Sequence, residues 1–335
     1  MARIEDIARE LNVSVSLVSK VLSGRMGSTR VSPRVAEAIR GRADALGYRK
    51  NVSAAGLATG RQHTIGVLMH ALGVPGSGIA EAMLHGISRE AAAHNQRVIL
   101  QFFHEDNQMR SWIDEVDHTS VDGVMVCGGM HWDLLADYLA LQQRRVPIVT
   151  LHDRQMHPSI GTVGCLQAGV GRMAAEHLIR CGCRRPAIIG SNYSQARGSL
   201  EVLREADLPC DPSRVFVARG YLWTTGEEAV AHFASEGVQY DGLIAHSDQQ
   251  AAGAINALIR SGRRVPEDVK IIGVDNSAAC DFAVVPLSSI SQQERTQGLL
   301  GVRMLMSLIE NPQQRPDPVW VEPVLHARRS SAAPA

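Results

Sequence analysis

A chain of 335 residues, 45% hydrophobic and only 4% aromatic, balances 34 Lys or Arg against 34 Asp or Glu. No apolar stretch reaches the ~18 residues needed to cross a bilayer, and Arg3, Glu5 and Asp6 break up any secretory leader; this excludes a membrane protein and makes a cytoplasmic one the expectation. Six scattered cysteines without paired zinc spacing, and thirteen histidines without a His-Glu-x-x-His, exclude the common metal centres, so no cofactor is expected.

In the first segment Ile4, Ile7, Ala8 and Leu11 recur at the spacing that lines one face of a helix. Asn12 and Val13 make a short turn, Asn being tolerant of a left-handed backbone, and Ser14 is placed to cap a second helix running to about Leu22. There Leu17, Val18, Val21 and Leu22 face inward, while Val15, Ser16, Ser19 and Lys20 face out. A third helix begins with Ser32 as cap and Pro33 at the first position, carries Val35, Ile39 and Leu46 on one side, and stops at Gly47. This is a helix-turn-helix with a supporting helix, assigned to 1–50. Charge agrees: Met1 to Arg61 holds eleven Lys or Arg and five Asp or Glu, a net +6, so the neutral whole leaves the remainder at −6. A basic head on an acidic body fits a polyanion, with phosphate contacts setting affinity and a few base-edge contacts setting sequence.

The strings Ile4-Glu5-Asp6-Ile7-Ala8, Asn12-Val13-Ser14, Val18-Ser19-Lys20-Val21-Leu22 and Leu46-Gly47-Tyr48 together resemble the headpiece of the LacI/GalR family of bacterial transcription regulators, and the resemblance continues patchily to the C-terminus. It implies that Val15, Ser16 and Lys20 read bases, with Ser14, Ser19 and Ser23 beside them. Lys20 stands where the family more often has Arg, which puts a single-point donor in place of a bidentate fork.

Residues 51–61 form the expected hinge. Asn51 to Leu57 is too short to hold a helix alone, so ordering is expected only on DNA, where the resemblance implies that Leu57 wedges into the minor groove while Ala54 allows two hinges to approach, Asn51 completing the set. Gly56 weakens that helix, and a plain flexible linker is the other reading.

From residue 62 to 335 short apolar runs (Ile65–Met69, Val98–Leu100, Val121–Cys127, Ile148–Leu151, Ala187–Ile189, Val215–Val217, Leu243–Ala245, Ile271–Val274) alternate with helical patterns such as Ile79–Ala93, Val170–Cys181, Ala251–Ser261 and Gly298–Ile309. That alternation predicts parallel sheets with helices on both faces. At about 270 residues it predicts two lobes rather than one, with the chain crossing near 160, 290 and 321. The fold class is therefore an all-α helix-turn-helix headpiece plus an α/β two-lobed sensor, similar to the type I periplasmic-binding-protein fold. The tail Arg328–Ala335 lacks apolar heptads for a tetramerising bundle and is expected to be disordered.

Ligands of such sheets sit beyond the carboxyl ends of strands. His70, Asp153, Asn192, Arg197, Tyr221, Ser247, Asp248 and Asp275 are the candidates, Ser191 being a further strand-end residue. The resemblance implies that Asp275 accepts from effector hydroxyls, although an Asp there also braces loops, and that Tyr221 stacks on a sugar face, although a core tyrosine fits equally. Asp153 with Arg154 resembles a family acid but falls one residue late, leaving His152 as the literal match. Three positions depart from the family: Ser199 in place of an effector-binding arginine, with Arg197 nearby; Ser247 in place of an asparagine; and Cys165-Leu166 in place of an Asp-Asn pair. These departures imply an effector other than a plain sugar, or one held differently, or no ligand. The loop 73–78 is glycine-rich without the Gly-Lys-Ser/Thr of a phosphate loop. Ser191 lacks a Gly-x-Ser-x-Gly setting and no dinucleotide fingerprint follows any strand, so an enzyme is not expected.

The reading is a DNA-binding regulator, in the family most often a repressor. It would be a nucleoid-associated homodimer on a palindromic operator, its affinity set by a small molecule, carbohydrate or otherwise, in the cleft. An exported small-molecule-binding protein of the same sensor fold is the alternative, opposed by the basic headpiece and the missing leader.

Overall fold

The computed structural model describes residues 3–24, 26, 28–48, 61–70, 78–104, 106–117, 119–128, 132–190 and 193–331. The hinge residues Asn51, Ala54 and Leu57, the loop 73–77, and Ser191 with Asn192 lie outside them. The chain divides into two compact units, Met1–Gln62 and His63–Ala335.

In the first unit α1 (Ile4–Glu10) and α2 (Val15–Ser23) are joined by a turn in which Asn12 takes φ +52°. The Leu17 N–H donates to Ser14 Oγ (3.1 Å), which satisfies one orphan donor of α2, and Gly24 closes the helix at φ +70°. α3 (Pro33–Ala45) starts from Ser32, whose hydroxyl accepts from Val35 N–H, with Pro33 at the first position. Ile7, Val18 and Ile39 are fully buried among Ala8, Val21, Ala36 and Ala43, while Leu17 and Leu22 pack around that centre half-buried. Arg42 of α3 pairs with Glu10 of α1.

The second unit holds two six-stranded sheets. The first runs through β1 (Thr64–His70), β2 (Arg97–Phe103), β3 (Gly123–Cys127), β4 (Ile148–Leu151), β5 (Gly161–Cys165) and, far along the chain, β11 (Val319–Val321), in the order β11-β5-β4-β3-β1-β2. The second runs through β6 (Pro186–Gly190), β7 (Val215–Val217), β8 (Gly242–Ala245), β9 (Lys270–Val274), β10 (Ser288–Ser291) and β12 (Val324–His326), in the order β12-β10-β9-β8-β6-β7. All pairings are parallel except β10 with β12, and the two orders are the same pattern used twice. The helices are α4 (Ile79–Ala93), α5 (Asp106–Glu115), α6 (Leu135–Gln143), α7 (Gln167–Arg180), α8 (Tyr193–Glu205), α9 (Trp223–Ser235), α10 (Asp248–Arg260), the short α11 (Ala279–Phe282) and α12 (Glu294–Glu310). The chain leaves the first lobe after β5, returns between β10 and α12, which packs on α4 and on β3 to β5, and crosses once more between β11 and β12.

Three helix pairs cross with their backbones in near contact, each through a glycine on either side. A Cβ on Gly86 of α4 would meet Arg295 O of α12 at 2.0 Å, and one on Gly298 would meet Met83 O at 2.4 Å. Gly171 of α7 faces Gln195 O of α8 while Gly198 faces Ala168 O, and Gly226 of α9 faces Gln250 O of α10 while Gly253 faces Trp223 O, all at 2.0 Å or less. Close approach, not turn geometry, fixes these residues as glycine.

Residues 328–331 correct the expectation of a disordered end; the last four residues, 332–335, lie outside the described residues. Ser330 and Ser331 are fully buried. Ser330 O accepts from Ile271 N–H, its hydroxyl donates to Ile271 O (2.7 Å) and accepts from Ser288 N–H (2.8 Å), and Ser331 Oγ is bonded to both Ser288 Oγ and His177 Nε2 (2.6 Å each). Small hydroxyl side chains fill a slot at the start of β9 and β10 and satisfy backbone that would otherwise be buried unpaired, a role invisible to a search for apolar heptads.

Candidate functional site

Each unit presents a candidate site. In the first, Ser14, Val15, Ser16 and Ser19 are exposed along α2 while Lys20 and Ser23 are half-buried. Val15 keeps 41% of its surface in water, although Val18 and Val21 of the same helix are buried. Lys20 Nζ donates to Thr29 Oγ1 (2.7 Å) and Ser23 Oγ donates to Lys20 O (3.1 Å), so the lysine is held against the turn after α2. The face is small, polar and flat, with one apolar and one cationic group.

In the second unit, the carboxyl ends of both sheets converge on a cavity of about 240 Å3. Asp153, Tyr221, Ser247, Asp248 and Asp275 all line it, and so do His152 and Cys165. Asp275, directly after β9, has φ +106°, a conformation that costs a non-glycine residue of order 1–3 kcal/mol and persists where neighbours enforce it. Its Oδ1 accepts from Gln292 Nε2 (2.9 Å). Gln292 in turn accepts from Gln167, which accepts from Gln195, so a glutamine chain joins α8, the β5–α7 crossing and the β10–α12 crossing to the acid.

Burial, then repulsion from Asp248 and Glu294, pushes the Asp275 carboxyl well above the usual range. Burial likewise raises Asp248, although Ser289 Oγ and Ser277 N–H donate to its two oxygens (2.5 and 2.6 Å), and lifts Glu294 to about 7. Asp153 is lowered: burial opposes it, but His152 lies 2.7 Å away. His246, 2% exposed, is held neutral by burial, its pKa pushed down to about 3. Tyr221 is raised by burial and by Asp275.

Two expected ligands fall elsewhere. Arg197 is two residues beyond Gln195 on α8, about 200° round a helix of 3.6 residues per turn, so it faces a different groove beside Arg154 and Arg172 and pairs with Glu201 at 3.8 Å. His70, at the end of β1, packs edge-on against Phe103 with ring centroids 5.1 Å apart and is not among the cavity walls. Ser199 is fully buried and donates to Gly171 O, which makes it part of the α7–α8 contact. Ser247 lines the cavity, but its hydroxyl caps α10 by accepting from Gln250 N–H and donates to Tyr221 O.

Gln167, Gln195, Gln292, Glu294 and Gln297 line the cavity without having been singled out in the sequence. The strand-end rule would have reached Gln292 and Glu294 had β10 been legible. Ser288-Ser289-Ile290-Ser291 carries no apolar run because Ser288 bonds the C-terminal segment and Ser289 bonds Asp248.

Residues 175–331 match a family described as a periplasmic binding protein-like domain. Over nearly the full length, the chain is 26% identical to catabolite control protein A of Staphylococcus xylosus (310 residues, 90% of this chain and 91% of that protein). It is 28% identical to the HTH-type transcriptional repressor PurR of Pectobacterium carotovorum (342 aligned positions, 99% and 97%). Among solved structures, the lac repressor dimer bound to operator and the anti-inducer ONPF matches with a TM-score of 0.85 at 20% identity, covering 99% of each chain. The CelR–cellobiose complex matches at 0.73 and 24%, covering 98% of this chain and 100% of that one. The fold of the whole chain and the run of full-length relatives agree with the headpiece strings: over nearly its whole length the chain is similar to transcription regulators of the LacI/GalR kind.

Proposed function

We propose that this protein is a cytoplasmic transcription regulator, not an enzyme, that binds a palindromic operator as a homodimer and whose operator affinity is set by a small molecule in the inter-lobe cavity. The observation that carries it is α2, a capped helix whose exposed face, Ser14, Val15, Ser16 and Ser19, is kept small and flat in a unit of net charge +6. Such a helix enters a major groove, where Val15 suits a thymine methyl and Lys20 a guanine edge once it leaves Thr29. Asn51, Ala54 and Leu57 are assigned the minor-groove contact.

The homodimer is supported by exposed apolar groups on both lobes. Ile99, Leu100 and Phe102 stand on edge strand β2, and in the second lobe Phe282 and Val284 are 87% and 76% exposed. Patches of this kind mark protein–protein contacts. Asp275, Asp248, Tyr221, Asp153 and Ser247 are assigned to the effector cavity. Repression is the reading that the relatives named as repressors favour.

The test is selection of duplexes from a random pool by the purified protein, followed by competition with scrambled sites. A recovered palindrome bound through the α2 face, and lost with Val15→Glu, supports the reading. Recovery of unrelated sequences with no preference rejects it.

A further inference from the structure

The effector cavity has an unusual charge balance. Among the described residues that line it none is Lys or Arg, and the sequences of 71–77, 129–131 and 191–192 contain neither. Four carboxyl groups line it. Two are already answered: Asp248 by Ser289 and Ser277, Asp153 by His152. Asp275 accepts from Gln292 on one oxygen, and Glu294, only 6% exposed at the start of α12, has a buried Oε1 with no hydrogen-bond partner among the described residues.

A buried acceptor left unpaired is costly, and an uncompensated pair of buried acids more so. A phosphate or carboxylate ligand would add a further negative charge with no cation to meet it. A neutral polyol would supply donors but draw nothing from the acids' capacity to ionise, whereas a cation would gain a charged partner from each. We infer that the cavity takes an amine-bearing polyhydroxylated ligand, of about one sugar's size, whose ammonium group sits between Asp275 and Glu294. This rests on the reading of the cavity as the effector site. The cavity volume of 240 Å3 lies below the ~300 Å3 at which drug-sized pockets begin, which suits a single ring or a six-carbon chain.

The groups facing this pair are Asp248 on α10, Tyr221 after β7, His246 after β8, His152 with Asp153 after β4, and Cys165, whose thiol burial pushes up to about 12. His246 is neutral throughout the working range. Burial raises both carboxyls in the ligand-free cavity, Asp275 well above the usual range and Glu294 to about 7. An ammonium between them favours their ionised forms, so it displaces protons as it binds, and its affinity rises with pH while the amine itself stays charged.

Three compounds of one skeleton separate the cases: 1-amino-1-deoxyglucitol, glucitol and gluconate, with glucosamine, glucose and glucuronate as the ring series. Titration calorimetry on the full chain, at about pH 6 and about pH 8 for the open-chain amine and in two buffers of different ionisation enthalpy, reads affinity and protons together. The expected result is at least a ten-fold preference for an amine over its neutral and acidic counterparts. Proton release should accompany binding of the open-chain amine, with tighter binding at the higher pH. Asp275→Asn should weaken amine binding ten-fold or more, and Glu294→Gln should remove most of the pH dependence while thermal unfolding confirms that each variant folds. Equal or tighter binding of a neutral or acidic member, binding without proton release, or no binding by any amine overturns the inference. Duplex selection by the same protein without ligand reads the regulator assignment separately, so either can fail while the other stands.

Discussion

At the scale of single residues the cavity carboxyls make the sharpest claim. Glu294 has a folded-state pKa of about 7, above that of an ordinary glutamate, so the folded protein keeps a proton that the unfolded chain has already lost. Stability from that group is therefore present at low pH and falls as pH rises from the ordinary glutamate range to about 7. Asp275 is shifted in the same direction and adds to the slope. Glu294→Gln is expected to flatten urea-unfolding stability between about pH 5 and about pH 8 by up to one proton's worth, on the order of 1 kcal/mol per pH unit, and to exceed the parent above pH 7. An unchanged slope would mean that Glu294 is ionised in the folded protein. The cap at Ser14 makes a simpler case: Ser14→Ala leaves the Leu17 N–H unanswered and should cost the first unit about 1 kcal/mol, seen as a lower melting temperature for that unit.

Elements differ in how plainly the sequence announces them, and the reason is where their polar groups go. The headpiece helices were legible because their signals are local: Ser14 and Ser32 cap, Asn12 takes the left-handed turn, and Gly47 at φ +61° ends α3. The central strands β1, β3, β4, β8 and β9 were legible as apolar runs because both faces are covered. By contrast β10 and the C-terminal segment were not, since their serines are buried by partners 40 or more residues away in sequence. Removing residues 328–335 should lower the melting temperature by several degrees, because Ser330 and Ser331 no longer satisfy Ser288 and Ile271. The glycine crossings were illegible for another reason, as nothing in a lone glycine names the backbone it will touch. Gly253→Ala should destabilise by about 1–3 kcal/mol or more, since its Cβ would lie 1.9 Å from Trp223 O and only backbone movement can relieve it. The outer face of α2, where the sequence also offered readers, is described, whereas the hinge expectation at Asn51, Ala54 and Leu57 falls outside the described residues.

For the whole molecule, charge and exposed apolar surface together set the behaviour. The proposed homodimer would bring two units of net +6 to one duplex, while the remaining 274 residues carry −6 each, which would concentrate attraction to DNA in the headpieces. If self-association runs through Phe282 and Val284, placing a charge there should separate the copies. Phe282→Asp is expected to raise the dimer dissociation constant at least ten-fold by analytical ultracentrifugation, corresponding to about 1.4 kcal/mol, less than burying one aromatic side chain contributes. Operator affinity at low protein concentration should fall with it, because each headpiece alone covers half a site. Salt provides the independent measure of that doubling. With six or more phosphates neutralised by a dimer, operator affinity should drop about a thousand-fold or more between about 50 and about 200 mM salt. The Phe282→Asp monomer, contacting half as many phosphates, should give about half the slope of log affinity against log salt concentration. Equal slopes for the two proteins would mean that a single headpiece makes all the phosphate contacts, and the two-fold arrangement on DNA would have to be abandoned.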